Sequence, residues 1–181
     1  MPLDTLNADH IGQVGGGFEP QRQNNILFYV TGLSGNENDV ITLSFTSGPL
    51  PKSNIGIIEV RYLNQIRKFA GTPTFDDAPM VFNDYVDQET ATVLAKWFYL
   101  SHNPLTGKTD LAANYKKNGR MVMFGPEGSN AVPEREWEIQ GAWISNYDPG
   151  DADHEGEDRV RITASLTIDK AIFIPAGLSS S

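Results

Sequence analysis

The sequence predicts a mainly β protein, an antiparallel β-sandwich or barrel with one flanking α-helix. Three observations lead there. Apolar residues recur in short runs with a period of two, the spacing of half-buried strands. Roughly seven or eight such strand candidates follow one another along the chain. Only one stretch, residues 87–104, combines helical spacing with a start and a stop signal.

Residues 1–24 are polar and contain Gly15, Gly16 and Gly17, which reads as a flexible N-terminal arm. "NILFYVTGL" is the first strand candidate. "DVITLSFTS" alternates Ile41, Leu43 and Phe45 with Thr42, Ser44 and Thr46, which predicts a second strand. "IGIIEVRYL" and "IRKFAG" are separated by Asn64 and Gln65 alone, which predicts a hairpin lacking the glycine that tight turns prefer. "PMVFNDY" adds a short strand. In "DQETATVLAKWFYLSHNP", Asp87 is the expected N-cap and Glu89 suits the positive end of the helix dipole. Asn103–Pro104 stops that helix, and Ala91, Leu94, Trp97 and Phe98 form its apolar stripe. "GRMVMFG" is a further strand. The two longest follow: "REWEIQGAWI", with Trp137, Ile139, Gly141 and Trp143 expected on one face, and "RVRITASLTID", with Val160, Ile162, Ala164, Leu166 and Ile168 on one face. Residues 25–174 thus form the β domain, and 175–181 a flexible tail.

Composition narrows the function. At 181 residues with 39% hydrophobic content, the chain can bury one core. No apolar run approaches the ~20 residues that span a bilayer, and "MPLDTLNADHIGQ" lacks the features of a secretory signal. Folding in a reducing cytosol, with no membrane partner, is expected. The chain has no cysteine, which excludes disulfides, iron–sulfur clusters and thiolate zinc. Net charge is −9, and Glu134–Asp158 alone holds nine acids against Arg135, leaving the remainder almost balanced. Such a chain lacks the basic footprint of a nucleic-acid binder.

The most acidic stretch is "NYDPGDADHEGED", with Asp148, Asp151, Asp153, Glu155, Glu157 and Asp158. Taken as a calcium loop from Asp151, it offers Asp153, Glu155 and Gly156 at the third, fifth and sixth positions. Its twelfth position is Ile162, where a bidentate glutamate is needed. A solvated acidic surface loop is the reading that remains. Gly107-Lys108-Thr109 imitates the end of a phosphate-binding loop, but His102 stands where its first glycine belongs. Asp76 and Asp77 are adjacent and would point to opposite faces of an extended chain. His10, His102 and His154 have no metal-ligand spacing. Trp137 and Trp143 on a long strand fit core or subunit-interface positions better than a stacking platform. No catalytic residues, metal site or cofactor are expected, and the chain is not read as an enzyme.

The order and spacing of "IRKFAGTPTFDDAPMVFNDYVDQETATVLAKWF", "NYKKNGRMVMF", "EWEIQGAWISN" and "VRITASLTIDKAIF" resemble the tail tube proteins of contractile-tailed bacteriophages. The resemblance spans about residues 25–173. It implies a small β-sandwich or barrel with a flanking helix, six copies of which form a ring. Rings stack into a tube inside a contractile sheath, through which DNA leaves for the host. The implied partners are further copies of the chain, the tail sheath protein, the baseplate hub and the tail terminator. The tape measure protein and DNA pass through the lumen without specific binding. The implied location is the tail of a virion assembled in the host cytoplasm. The same fold serves type VI secretion and extracellular contractile injection systems, which are the alternative reading. A calcium-dependent binding module is a more distant one. Under the first reading, Glu136, Glu138 and Gln140 are the lumen candidates, forming a wall that repels phosphates. Arg61, Tyr62, Arg67 and Lys68 of the hairpin are the ring-stacking candidates, because in the family an extended loop reaches the adjacent ring.

Overall fold

The computed structural model describes residues 25–124, 133–151 and 158–175. Nine strands and three helices occur among them. In order these are β1 (Ile26–Thr31), α1 (Glu37–Ser44), β2 (Phe45–Ser47), β3 (Ser53–Tyr62), β4 (Gln65–Phe75) and β5 (Ala78–Asn83). After them come α2 (Thr90–Ser101), the short α3 (Ala112–Tyr115), β6 (Lys117–Phe124), β7 (Pro133–Asp148), β8 (Arg161–Thr167) and β9 (Lys170–Pro175). The expected arm (1–24) lies outside the described residues, as does the tail beyond Pro175.

The body is a curled antiparallel sheet folded into a half-barrel, as the predicted class requires. Strand β7 belongs to both halves. Its first part pairs with β6 and β9, and β6 pairs in turn with β1; its last part pairs with β8, which continues to β5 and β2. The bend falls at Gly141, where φ is +67°. Register shifts there, so that Gly119 faces Ile139 but Lys117 faces Ala142. A bulge of this kind needs a residue tolerant of the left-handed region. It also moves the inward positions from Ile139 to Ala142 and Ile144, all three fully buried. Strict alternation therefore fails at this point. Trp143 does not share the face of Ile139; it leaves the core line and meets Tyr115 edge-on, with ring centroids 5.7 Å apart.

The expected strand over residues 39–47 is corrected by the structure. Its first six residues lie in α1, and only Phe45–Ser47 is extended. As a strand, Leu43 would share the buried face of Ile41; instead Ile41 is fully buried and Leu43 is 76% exposed. Ser34 and Glu37 explain why the helix starts. The Ser34 hydroxyl and backbone N–H both donate to Glu37 Oε2, at 2.9 and 3.2 Å. This is half of a capping box: Glu37 reaches back to the Ser34 N–H, while the helix proper begins after Asn36, which makes no side-chain cap bond. Glu37 also receives Lys96 Nζ at 3.3 Å, tying α1 to α2.

Helix α2 follows the prediction with two adjustments. Its first turn is held by Asp84, whose Oδ1 accepts the Ala91 N–H at 3.3 Å, whereas Asp87 lies in a 3-10 turn before the helix. The buried stripe is Thr90, Val93, Leu94 and Trp97, with Ala91 and Phe98 partly buried beside it. Trp97 donates to the Tyr115 carbonyl, and Phe98 stacks on Tyr147 of β7. The core between sheet and helices contains Phe28, Ile41, Met80, Phe82, Leu94, Trp97, Ile139, Ile162 and Leu166. Along β8 the expected inward residues Ile162, Ala164 and Leu166 are fully buried, while Val160 remains 40% exposed.

Candidate assembly surfaces

The hairpin β3–β4 forms a two-stranded sheet of its own. Its turn is Leu63–Asn64, with Leu63 at φ +53°, a cost that glycine would avoid. All ten residues of β3 are exposed, and so are nearly all of β4. Residues directly opposite in an antiparallel ladder share a face, so the register separates two surfaces. One carries Ile58 with Phe69, Val60 with Arg67, and Tyr62 with Gln65; the other carries Ile57 with Ala70, Glu59 with Lys68, and Arg61 with Ile66. The stacking candidates are thereby divided. Tyr62 and Arg67 lie on the more apolar face, Arg61 and Lys68 on the other. Lys68 forms an ion pair with Glu59 at 3.3 Å, exposed on both sides and of small energetic value. The base of the hairpin is clamped where Asn54 Nδ2 donates to Asp76 Oδ1 at 2.9 Å. Asp76 is thus a structural carboxylate.

The second surface is the face of β1, β6, β7 and β9 that turns away from the core. Glu136, Glu138 and Gln140 fall on it together, as their spacing predicted. So do Tyr29 and Thr31 of β1, Arg120 and Val122 of β6, and Ile172 of β9. A shallow cleft is lined by Tyr29, Arg120, Val122, Glu136 and Glu138. Glu136 is only 7% exposed, and Arg120 Nε lies 2.9 Å from its Oε1 in an ion pair whose geometry falls short of a hydrogen bond. Gln140 Nε2 donates to Glu138 Oε1 at 2.9 Å. The face is therefore less negative than three neighbouring β7 residues suggest. Arg120 offsets Glu136 and leaves Glu138 as its free-standing charge in the cleft. Nothing in the sequence marks Arg120 as that partner, because the pairing depends on a register 16 residues away.

The third surface is the acidic connection. Asp148 ends β7, and Asp151 and Asp158 are exposed. Asp153, Glu155 and Glu157 lie outside the described residues. The calcium-loop reading loses its last position, since Ile162 is fully buried and paired with Phe82. No group of three metal-ligating side chains occurs among the described residues. In the segment 102–110, Asn103 Oδ1 accepts the N–H groups of Leu105 and Thr106, and Gly107 N–H is used by the Asn103 carbonyl. A phosphate cradle needs such N–H groups free. No described helix is long and apolar enough to cross a membrane.

Comparison with solved structures defines the fold. The chain matches one in the anti-feeding prophage cap, the AFP tube terminating cap, with a TM-score of 0.69 at 12% identity over 94% of this chain and 100% of that one. It matches one in the PVC sheath-tube complex of an extracellular contractile injection system in the extended state, with a TM-score of 0.65 at 14% identity over 94% and 99%. The sheath/tube terminator of the same type of machine gives 0.66 at 12% identity over 88% and 99%. The fold is shared with these components of contractile injection machines. More particularly, it is the tail tube fold that the sequence resembles. No protein-family model matches the chain, and no curated protein matches it.

Proposed function

We propose that the chain is a subunit of the inner tube of a contractile phage tail, in which stacked six-membered rings conduct DNA. One observation carries the reading. A hairpin of 23 residues, Ser53–Phe75, presents Ile57, Ile58, Val60, Tyr62, Ile66 and Phe69 to solvent, each at least 43% exposed, in a fold shared with tube proteins. Apolar surface on that scale has meaning when a partner covers it.

Ring closure has its own support. Among the described residues β1 pairs only with β6, and β9 only with β7, so both edges of the four-stranded half are open. The four strands alternate in direction, so β9 of one copy would meet β1 of the next antiparallel. Repetition around a ring then removes both edges of that half, which open sheets otherwise leave as an aggregation liability. Six copies give a barrel of about 24 strands, with a backbone diameter of roughly 37 Å at ~4.8 Å per strand and wider with tilt. Side chains on both walls still leave a bore that admits a duplex. Glu136, Glu138 and Gln140 would line that bore, and Glu138 would keep phosphates from adhering. The sheath protein, baseplate hub and terminator would bind the outside and the ends, with the tape measure protein inside.

The inner tube of an extracellular contractile injection system is the second reading, favoured by the likeness to AFP and PVC components. Particles purified through a tagged copy of the chain separate the two. DNase-protected DNA within tailed particles supports the phage tail, and headless particles free of DNA support the injection system. Negative-stain images of the purified protein test the shared part: rings or tubes support it, and a uniform population of monomers overturns it.

A further inference from the structure

The hairpin is not one uniform ribbon. Between the pairs Ile55–Pro73 and Ile57–Ala70, a single β3 residue, Gly56, stands opposite two β4 residues, Gly71 and Thr72. This bulge interrupts the ladder, and Pro73 beside it has no N–H to donate. Glycine thus stands on both strands at the same level. Close approach demands Gly71, since a Cβ there would lie 2.9 Å from the Gly56 carbonyl oxygen. Nothing comparable applies to Gly56. Its φ lies outside the left-handed region, and a Cβ would meet nothing nearer than the Thr72 carbonyl oxygen at 3.6 Å, an ordinary contact. Neither packing nor backbone conformation calls for glycine at 56, so what this residue adds is freedom of rotation.

The two sides of this joint are held differently. On the root side, Asn54 Nδ2 donates to Asp76 Oδ1 at 2.9 Å, Asp76 N–H donates to the Lys52 carbonyl at 3.1 Å, and Phe75 packs against the core. On the turn side, every residue from Ile57 to Ala70 is exposed, and β3 and β4 pair with no other described strand. That half is nonetheless a regular ladder, with Glu59 paired to Lys68 across it at 3.3 Å. We infer that the joint is a hinge: residues 57–70 pivot as one unit about Gly56 and Gly71, while the ladder beyond stays paired. Bending concentrates there because regular pairs resist it and a glycine bulge does not. One subunit thereby presents the same ribbon at more than one angle without breaking a ladder bond. The device requires no partner and is independent of the tube reading.

The chain has no cysteine, so paired spin labels can be placed at introduced cysteines without altering the background. Three doubly substituted chains are compared by pulsed electron spin resonance on the monomeric fraction, in a Tyr62→Ser and Phe69→Ser background if the unaltered chain stays assembled. Asp77→Cys with Leu63→Cys spans the joint. Ile57→Cys with Leu63→Cys, roughly 20 Å apart by strand rise, lies wholly beyond it. Asp77→Cys with Arg159→Cys reports the body along β5 and β8. The pair spanning the joint should give a distance distribution about twice as broad as the other two, and Gly56→Ala should narrow it toward theirs. A spanning distribution as narrow as those of the other pairs would show a rigid arm and overturn the inference. Equal broadening of the Ile57 pair would overturn it too, since the ribbon then frays instead of pivoting, as would a width that Gly56→Ala leaves unchanged.

Discussion

At the residue scale, three positions bear more on this protein than their neighbours. Glu136 is nearly enclosed, and Arg120 is its one ion-pair partner among the described residues. Removing that partner strands a buried charge, whereas removing both groups does not. Arg120→Ala should therefore cost about 1–3 kcal/mol in urea unfolding, and Arg120→Leu with Glu136→Leu much less. Gly141 sits at φ +67°, and a Cβ there would strike the Asp169 carboxylate, which Lys116 Nζ holds at 2.6 Å. Gly141→Ala should lower stability by about 1–3 kcal/mol, read by the same unfolding curves. Burial pushes the Glu37 carboxyl up, but hydrogen bonds from Ser34 and Lys96 outweigh it and hold the pKa below the usual 4.5. A depressed carboxylate stabilises the fold above its unfolded pKa, and that stability is lost as pH falls through the lower folded value. Melting temperature followed from neutral pH into this acid range should fall more steeply in the native protein than in Glu37→Gln.

At the element scale, the hairpin carries apolar residues from Ile55 to Phe69 that stay exposed, and only Phe75 at its base packs against the core. Tyr62→Ser with Phe69→Ser should shift the melting temperature of the subunit by no more than about 4 °C, since exposed substitutions rarely exceed ±0.5 kcal/mol each. The same pair should abolish tubes in sedimentation, and tubes that survive it would contradict the stacking role. The hairpin, α2 and the inward line of β8 were legible in the sequence because local pattern and tertiary position agree there. Helix α1 was not. Its β-branched residues Val40, Ile41 and Thr42 imitate a strand, and Ser34 with Glu37 was the available signal to the contrary. The face of Trp143 was hidden for a different reason. Alternation counts residues, and the bulge at Gly141 adds one.

At the scale of the whole molecule, a bent strand, an open-edged half-barrel and an exposed hairpin combine in one subunit. The β7 carboxylates share a face, as the period of two predicted, but their charge could not be read without the register that sets Arg120 opposite Glu138 and diagonally within reach of Glu136. Half of the acidic connection lies outside the described residues, while Asp148, Asp151 and Asp158 mark the end of the subunit opposite the hairpin root. The most direct test is a cryo-electron microscopy reconstruction of tubes assembled from the purified chain. The account predicts six-fold rings closed by pairing of β1 with β9, with Glu138 facing the bore and the hairpin crossing to the next ring. Rings with Glu138 on the outer wall, or hairpins folded back on their own subunit, would contradict it.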